Sequence, residues 1–557
     1  MNMFNLVLKC LSIFFIFIFI VGCGGGGGSS SSSSDLNTTK IGIFVDDIVE
    51  GVYYKSANSS GYTNSKGEFP FNDELIEFYV GDIKIGEISS LPSDKLVFIQ
   101  DILGLERDNI SNEQVLKIAT FLQSLDSDTS DKIKIKIADF EKFKNINKNI
   151  NSIDIDALLL QKGISKKTED EVKVHLSKTY SKYIFNEKEK DHLFNLFKTK
   201  YLWSDYVNNI DYSSYKKPND MIDALIYDTI DNWSYSISVN DYISRSSQST
   251  FGFGCSFDDG FIINMKIGSP CEKSGLKRGD YLSEINSIEV TRENYYEAQN
   301  NLGVEYTFTV YRQMMERLDI KITPIKYEYK ASKSQIYISK EGKKVGLFIY
   351  DSFTSRSTEE IDNAFKYFKE NNIEELIIDL RYNGGGSLGV TSYLLDYIAG
   401  FNNEGALQYY LDSKEEIEYI YFNDQSYKNA MNLSRVLFLT SENTASASEI
   451  LIKSLEPYMN VVVLGENTHG KPVGMHSNFS LNREYIYFLI TFSLYNSNGE
   501  GDYFDGLDVT CDAHNQDLKD RDNVNENLLN TALFYIENES CKDHHMIEDS
   551  EYIKFNL

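Results

Sequence analysis

A multidomain α+β protein is predicted by three observations. The chain has 557 residues, more than one hydrophobic core accommodates. Its hydrophobic share of 41% and aromatic share of 13% suffice for several folded units. Along the chain the pattern changes from short alternating apolar runs to helical stripes, and then to buried strands that end in glycine-rich turns. The first expected unit is a small β-sandwich over 38–98. There Ile41-Gly42-Ile43-Phe44-Val45, Gly51-Val52-Tyr53-Tyr54 and Ile76-Glu77-Phe78-Tyr79-Val80 are parted by turns such as Asn64-Ser65-Lys66-Gly67. Residues 99–186 read as a helical segment, with Val115, Ile118, Ala119, Leu122 and Leu125 on one apolar stripe. Inside it, Asp126-Ser127-Asp128-Thr129-Ser130-Asp131 has the start of a calcium loop but neither its sixth-position glycine nor its final glutamate, for which Ile137 stands.

The chemistry concentrates near the C-terminal end. Val436-Leu437-Phe438-Leu439-Thr440 reads as a buried strand, and a stretch apolar at Ile450, Leu451, Leu455 and Tyr458 reads as the helix after it. Ser446, in Thr444-Ala445-Ser446-Ala447-Ser448-Glu449, falls at the junction, where unpaired helix N-terminal N–H groups favour developing negative charge. Ser446 to Glu449 is equally an S-x-x-E capping box, which needs no chemistry. Further on, Lys471 stands in Gly470-Lys471-Pro472-Val473-Gly474; a lysine amine acts as a base only where desolvation keeps it neutral. Upstream, the strand-like Glu375-Leu376-Ile377-Ile378-Asp379 runs into Leu380-Arg381-Tyr382-Asn383-Gly384-Gly385-Gly386. That turn lets backbone approach a ligand closely, or simply leads into a helix around Thr391 to Ile398.

Taken in order, Asp379-Leu380-Arg381-x-Asn383-x-Gly385-Gly386, Thr444-Ala445-Ser446-Ala447-Ser448-Glu449 and Gly465-Glu466-x-Thr468-x-Gly470-Lys471 resemble the C-terminal processing peptidases, the S41 serine peptidase family, over roughly 187–540. The resemblance implies a ClpP/crotonase-like α/β catalytic core over 329–557, tail included, preceded by a helical part at 187–245. It implies Ser446 as nucleophile and Lys471 as general base. It also implies an oxyanion hole from the Ala447 N–H and a glycine of the 384–386 turn, Gly385 being favoured. Two departures stand out. Met475 replaces a glutamine that in many members orients the lysine, and a thioether is only a weak acceptor. Pro472 replaces the usual glycine after the lysine. His469 and His476 flank Lys471, so a serine–histidine pair is an alternative to the serine–lysine dyad.

Residues 246–328 resemble a PDZ domain, inserted in or preceding the core: Phe251-Gly252-Phe253-Gly254, Gly268-Ser269-Pro270-Cys271-Glu272-Lys273-Ser274-Gly275-Leu276-Lys277-Arg278-Gly279-Asp280, and a strand at Tyr306 to Tyr311. Gly252, Phe253 and Gly254 resemble the loop that holds a peptide's terminal carboxylate. A module that only braces the core is the alternative. Lys9 followed by a short apolar run, Leu11 to Ile20, suits a signal peptide over 1–22, and Ile20-Val21-Gly22-Cys23 resembles a bacterial lipobox. On that reading Cys23 is acylated and anchors the chain to membrane, 23–37 form a Gly/Ser tether, and the location is the cell envelope, at the outer membrane facing the periplasm. Four further cysteines allow three pairings in an oxidising compartment; Cys255 with Cys271 and Cys511 with Cys541 are favoured over free thiols.

No zinc-type spacing occurs, so no metal or cofactor is expected. A net charge of −28 argues against nucleic acid and against electrostatic adhesion to anionic lipid. The expected partners are polypeptides with accessible C-termini. The expected function is a serine endopeptidase acting on envelope polypeptides; the alternative is a binding or scaffold lipoprotein that keeps the fold without turnover.

Overall fold

A computed structural model describes residues 40–92, 94–127, 132–423, 429–513, 518–542 and 553–554. The expected signal peptide, Cys23, the tether and residues 128–131 lie outside the described residues. The chain divides into two units, one of residues up to 104 with 117–166, the other of 105–116 with 167 onward. In the first, a three-stranded sheet runs in the order Glu68–Phe71, Lys40–Val45, Leu96–Phe98. A five-stranded sheet contains Ile83–Ile88, Ile76–Val80 and Tyr53–Lys55. The two meet through aromatic rings: Phe44 and Phe69 lie 5.0 and 5.1 Å from Phe78, and all three are buried.

The segment expected to be helical over 99–186 does not form a layer of its own. Its helix Glu113–Ser124 carries the expected stripe, with Val115, Ile118, Ala119 and Leu122 wholly buried. Further on, however, Ile133–Lys134 and Lys148–Asn149 are strands that pair with Val49–Glu50 and Ile83–Ile88, so main-chain hydrogen bonding draws this stretch into the β unit. From Lys167 the chain joins the second unit.

The second unit is built on a seven-stranded sheet. Its parallel centre runs Cys511–Asp512, Asn460–Gly465, Arg435–Thr440, Glu375–Asp379, Lys344–Tyr350, and Ser332–Ile338 adds antiparallel. Such a sheet is buried on both faces, which is why these strands read as continuous apolar runs. In Arg435–Thr440, Val436 and Phe438 pack with helices Ser357–Glu370, Leu388–Ala399 and Ala447–Leu455, while Leu437 and Leu439 pack with Asn527–Asn538. A second sheet orders Tyr235–Ser238, Tyr485–Asn496, Leu407–Ser413 and Ile417–Tyr421, with Val473–Phe479 also on Tyr485–Asn496. Tyr235–Ser238 corrects the expectation of a wholly helical 187–245: it is held extended by pairing from Tyr235 opposite Phe488 to Ser238 opposite Tyr485.

Residues 249–328 form a module with its own core, in which Phe253, Ile262, Leu282, Phe308 and Val310 are buried. Its ends are zipped together, Ser249–Gly252 pairing antiparallel with Ile325–Glu328. Cys255 is bonded to Cys271 inside it, and Cys511 to Cys541 near the end of the second unit, Cα atoms 5.8 and 5.5 Å apart; both favoured pairings are present. No helix among the described residues is long and apolar enough to cross a membrane.

Module and core are fastened by buried charge. Arg381 and Asp379, wholly buried, are paired at 2.7 Å, and Arg381 also pairs with the buried Glu526. Arg521 bridges Asp379 at 2.9 Å and Asp351 at 2.6 Å. Burial alone raises the Asp379 pKa, but the Arg381 and Arg521 guanidiniums overcome it and hold the carboxyl well below the usual carboxylate range. Arg278 of the module reaches into this cluster, donating to Tyr382 Oη at 2.9 Å and to the Lys519 carbonyl at 2.7 Å, with Glu526 3.5 Å away. Removing one partner strands a buried charge. Arg381→Met is expected to cost about 3–5 kcal/mol, read as a lowered urea midpoint, and a loss below about 1 kcal/mol would contradict the network's role.

Candidate active site

Two loops converge on one carboxylate. Glu449, wholly buried in the first turn of Ala447–Leu455, accepts the Ser446 N–H at 2.6 Å and the Lys471 N–H at 2.9 Å, both on Oε2. Its Oε1 accepts the Gly470 N–H at 2.7 Å and the Thr468 hydroxyl at 2.6 Å. Glu449 supplies its half of the capping box expected over 446–449, while its own N–H donates to the Ser446 main-chain carbonyl at 2.9 Å. It does more than cap a helix: one side chain sets the backbone of both Ser446 and Lys471. Ser446 takes φ 57° and ψ −112°, sparsely populated for a non-glycine residue and costing on the order of 1–3 kcal/mol. Such a sharp strand-to-helix turn presents its side chain outward, and Ser446 lines a cleft of about 880 Å³ together with Lys471.

The glycine turn is fitted against this elbow. The Asn383 carbonyl accepts the Ala445 N–H at 3.2 Å and the Ser448 hydroxyl at 2.9 Å, and Asn383 Nδ2 donates to the Tyr350 carbonyl at 2.9 Å. Gly385 sits at φ +100°, and a Cβ there would lie 2.9 Å from both Ala445 O and Ala447 N, so only glycine fits. The Gly385 N–H, however, donates to Asn383 Oδ1 at 2.9 Å. The favoured glycine donor is thus already committed to its own turn. Ala447, as first residue of its helix, has an N–H without an intrahelical acceptor.

Lys471 is largely desolvated, and burial pushes its pKa down to about 8 against the opposing charges of Asp231 and Glu449. Its Nζ lies 3.7 Å from Met475 Sδ and 5.8 Å from the centre of the Trp233 ring. Trp233 is positioned by Asp231, buried and accepting the Trp233 N–H at 2.9 Å, the Tyr201 hydroxyl at 2.7 Å and the Ser234 hydroxyl at 2.6 Å. The Trp233 indole N–H donates to His469 Nε2 at 3.1 Å, which occupies that lone pair and withdraws His469 as a base. His476 lines the cleft with its Nδ1 2.8 Å from Thr491 Oγ1, and desolvation lowers its pKa.

In the module, the Phe253 side chain belongs to the core, wholly buried 4.8 Å from Phe308. Gly252 and Gly254 have φ +102° and +82°, and a Cβ on Gly252 would meet Gln299 of helix Arg292–Asn300 at 2.4 Å. Among the described residues no group of His, Cys, Asp and Glu could hold a metal ion. Sequence reasoning missed Asp231 and Trp233 altogether, and the roles of Glu449 and Asn383. Asn383 stands in the glycine-turn motif, and Glu449 had left the capping box, which describes just one of its four bonds.

Residues 344–513 match peptidase family S41, and residues 188–235 match the peptidase S41 N-terminal domain, the stretch that carries Asp231 and Trp233. A probable CtpA-like serine protease of Staphylococcus aureus (strain N315) is 25% identical over 291 residues, 49% of this chain and 55% of that protein. One of Staphylococcus epidermidis (strain ATCC 35984) is 27% identical over 209 residues, 37% of this chain and 40% of that protein. This chain thus spans about half the length of the curated relatives it matches. The crystal structure of a putative S41 protease from Bacteroides fragilis NCTC 9343 superposes with a TM-score of 0.55 at 23% identity, covering 63% of this chain and 97% of that one. Peptidase S41 domains thus fall at 188–235 and 344–513, inside the stretch to which the motif order pointed.

The depressed Lys471 pKa has a consequence for stability. Between about pH 8 and 10.5 the unfolded chain binds the proton that the folded one has lost, so stability rises with pH across this window. Below it, charging Lys471 in its desolvated place costs the fold about 3 kcal/mol. Lys471→Met is expected to raise the unfolding free energy by that order at pH 6–7 and to leave it unchanged above pH 10.5, measured by urea titration at each pH; an equal effect at both would contradict the desolvation.

Proposed function

We propose that this protein is a serine endopeptidase with a Ser446–Lys471 dyad. The observation that carries the reading is the single Glu449 oxygen that accepts the N–H of both residues, because it ties nucleophile and base into one rigid frame. Neutral Lys471 takes the Ser446 proton as Oγ attacks the scissile carbonyl. The carbonyl π electrons move to oxygen, and the resulting oxyanion is held by the Ala447 N–H and by a backbone N–H of the 384–386 glycine turn. The ammonium then returns the proton to the leaving amine, the C–N bond breaks, and water repeats the sequence on the acyl-enzyme. Met475 supplies no strong hydrogen bond to the amine, yet none is needed to neutralise it: desolvation brings the pKa to about 8. This favours turnover over the binding-protein alternative.

The 249–328 module is read as PDZ-like, receiving an unstructured chain end along the edge strand Cys255–Asp258. The envelope location with lipid on Cys23 belongs to the same reading; replacing Cys23 by alanine should release the protein from the membrane fraction.

Ser446→Ala is expected to reduce cleavage of an unfolded protein substrate by at least about 10³-fold while peptide binding persists. Wild-type activity should climb through pH 8 to an alkaline plateau and be lost in Lys471→Met but not in His476→Gln. Equal cleavage by wild type and Ser446→Ala would overturn the assignment.

A further inference from the structure

The chain has 83 acidic against 55 basic side chains, so its arginines find carboxylates readily. Arg278, Arg312, Arg356, Arg381, Arg435 and Arg521 are each paired with one. Arg245, like Arg292 and Arg483, forms no ion pair among the described residues, but it alone of these three lines the same cleft as Ser446 and Lys471, exposed in the last turn of helix Val239–Ser246. Glu418, the acidic residue in that lining, does not pair with it. The helix dipole accounts for a cation in a last turn but not for its place in the cleft wall.

The surroundings strengthen the contrast. Tyr235 and Tyr242 flank Arg245 in the lining and pack on Phe488 at 5.2 and 5.9 Å, an aromatic wall against which an extended chain can lie. Nearby, the Lys266 ammonium sits over the Tyr329 ring at 4.1 Å. Burial lowers the Lys266 pKa, Asp351 opposes this, and Arg245 lowers it further. Arg245 thus has a second positive group within electrostatic reach, and the acid that offsets it, Asp351, is already bound to Arg521 at 2.6 Å. In a protein of net charge −28, positive charge left over in a substrate cleft is a place for an anion that the ligand brings.

We propose that Arg245 binds a carboxylate of the polypeptide lying in the cleft, either an acidic side chain or the free C-terminus, and so gives the enzyme a preference for carboxylate-bearing substrate segments. The proposal deepens the peptidase reading and rests on it. An arginine fork matches a carboxylate with two parallel hydrogen bonds, stronger than neutral ones.

The test uses the full chain carrying Ser446→Ala and fluorescent peptides of one sequence in three forms: amidated without acidic residues, amidated with one internal aspartate, and without acidic residues but with a free C-terminus. Binding is measured by anisotropy at low and high salt. At least one carboxylate form should bind about tenfold tighter than the neutral form, with the gap shrinking in salt and vanishing in Arg245→Gln. Whichever form gains identifies the source of the carboxylate. Arg245→Glu should reverse the preference toward a peptide with lysine at that position. Equal binding of all three forms, or a preference that survives Arg245→Gln, overturns the proposal. Hydrolysis by the unsubstituted protein is scored separately, so a peptidase reading that failed would show there while charge discrimination in binding still stood or fell by itself.

Discussion

A buried carboxylate with four donors around it is the constraint on which the catalytic region depends. Glu449 holds the backbone of the Ser446 elbow and of the Thr468–Lys471 loop at once, and those two segments follow the C-terminal ends of the parallel neighbours Arg435–Thr440 and Asn460–Gly465. Without it, three N–H groups and a hydroxyl in a dry interior would lack an acceptor, and each such loss costs about 1–3 kcal/mol. It also permits the strain at Ser446, since a backbone at φ 57° persists only where its neighbours over-determine it.

The same economy of fixed polar contacts continues outward. Asn383 seats the glycine turn on the elbow, and the Asp379–Arg381–Glu526–Arg521 cluster seats that turn on the sheet. Arg278 connects the 249–328 module to the cluster and touches Tyr382, inside the turn itself. The depressed Lys471 pKa is a product of this framing: Trp233, placed by Asp231, lies 5.8 Å from the amine, and the Met475 thioether 3.7 Å away adds no charge.

Much of this was legible beforehand. Buried parallel strands announce themselves as apolar runs, so 375–379 and 435–440 were readable, and the order of three short motifs pointed to the family. Both disulfide pairs were the favoured ones among the three pairings that four cysteines allow. What stayed hidden depends on contacts distant in sequence. Nothing around Tyr235 signals that Phe488 will pair with it, so this strand lies inside a stretch expected to be helical. The Gly385 N–H looked available until Asn383 Oδ1 was seen to accept it, and Glu449 looked like a cap because three of its four donors belong to a loop some twenty residues later. The segment 99–186 misled for the opposite reason: its helices were real, but two two-residue strands too short to show a period decided where it belongs.

The central claim is that Glu449 sets nucleophile and base together. Its most direct test is the rate at which a fluorophosphonate probe labels Ser446, measured against pH in wild type and in Glu449→Gln, with folding monitored by circular dichroism. The amide keeps the shape but turns an NH₂ toward a ring of donors. Labelling should rise through pH 8 in the wild type and fall at least about 10²-fold at every pH in a Glu449→Gln protein that remains folded. Labelling of Glu449→Gln at the wild-type rate, with the same pH dependence, would contradict it.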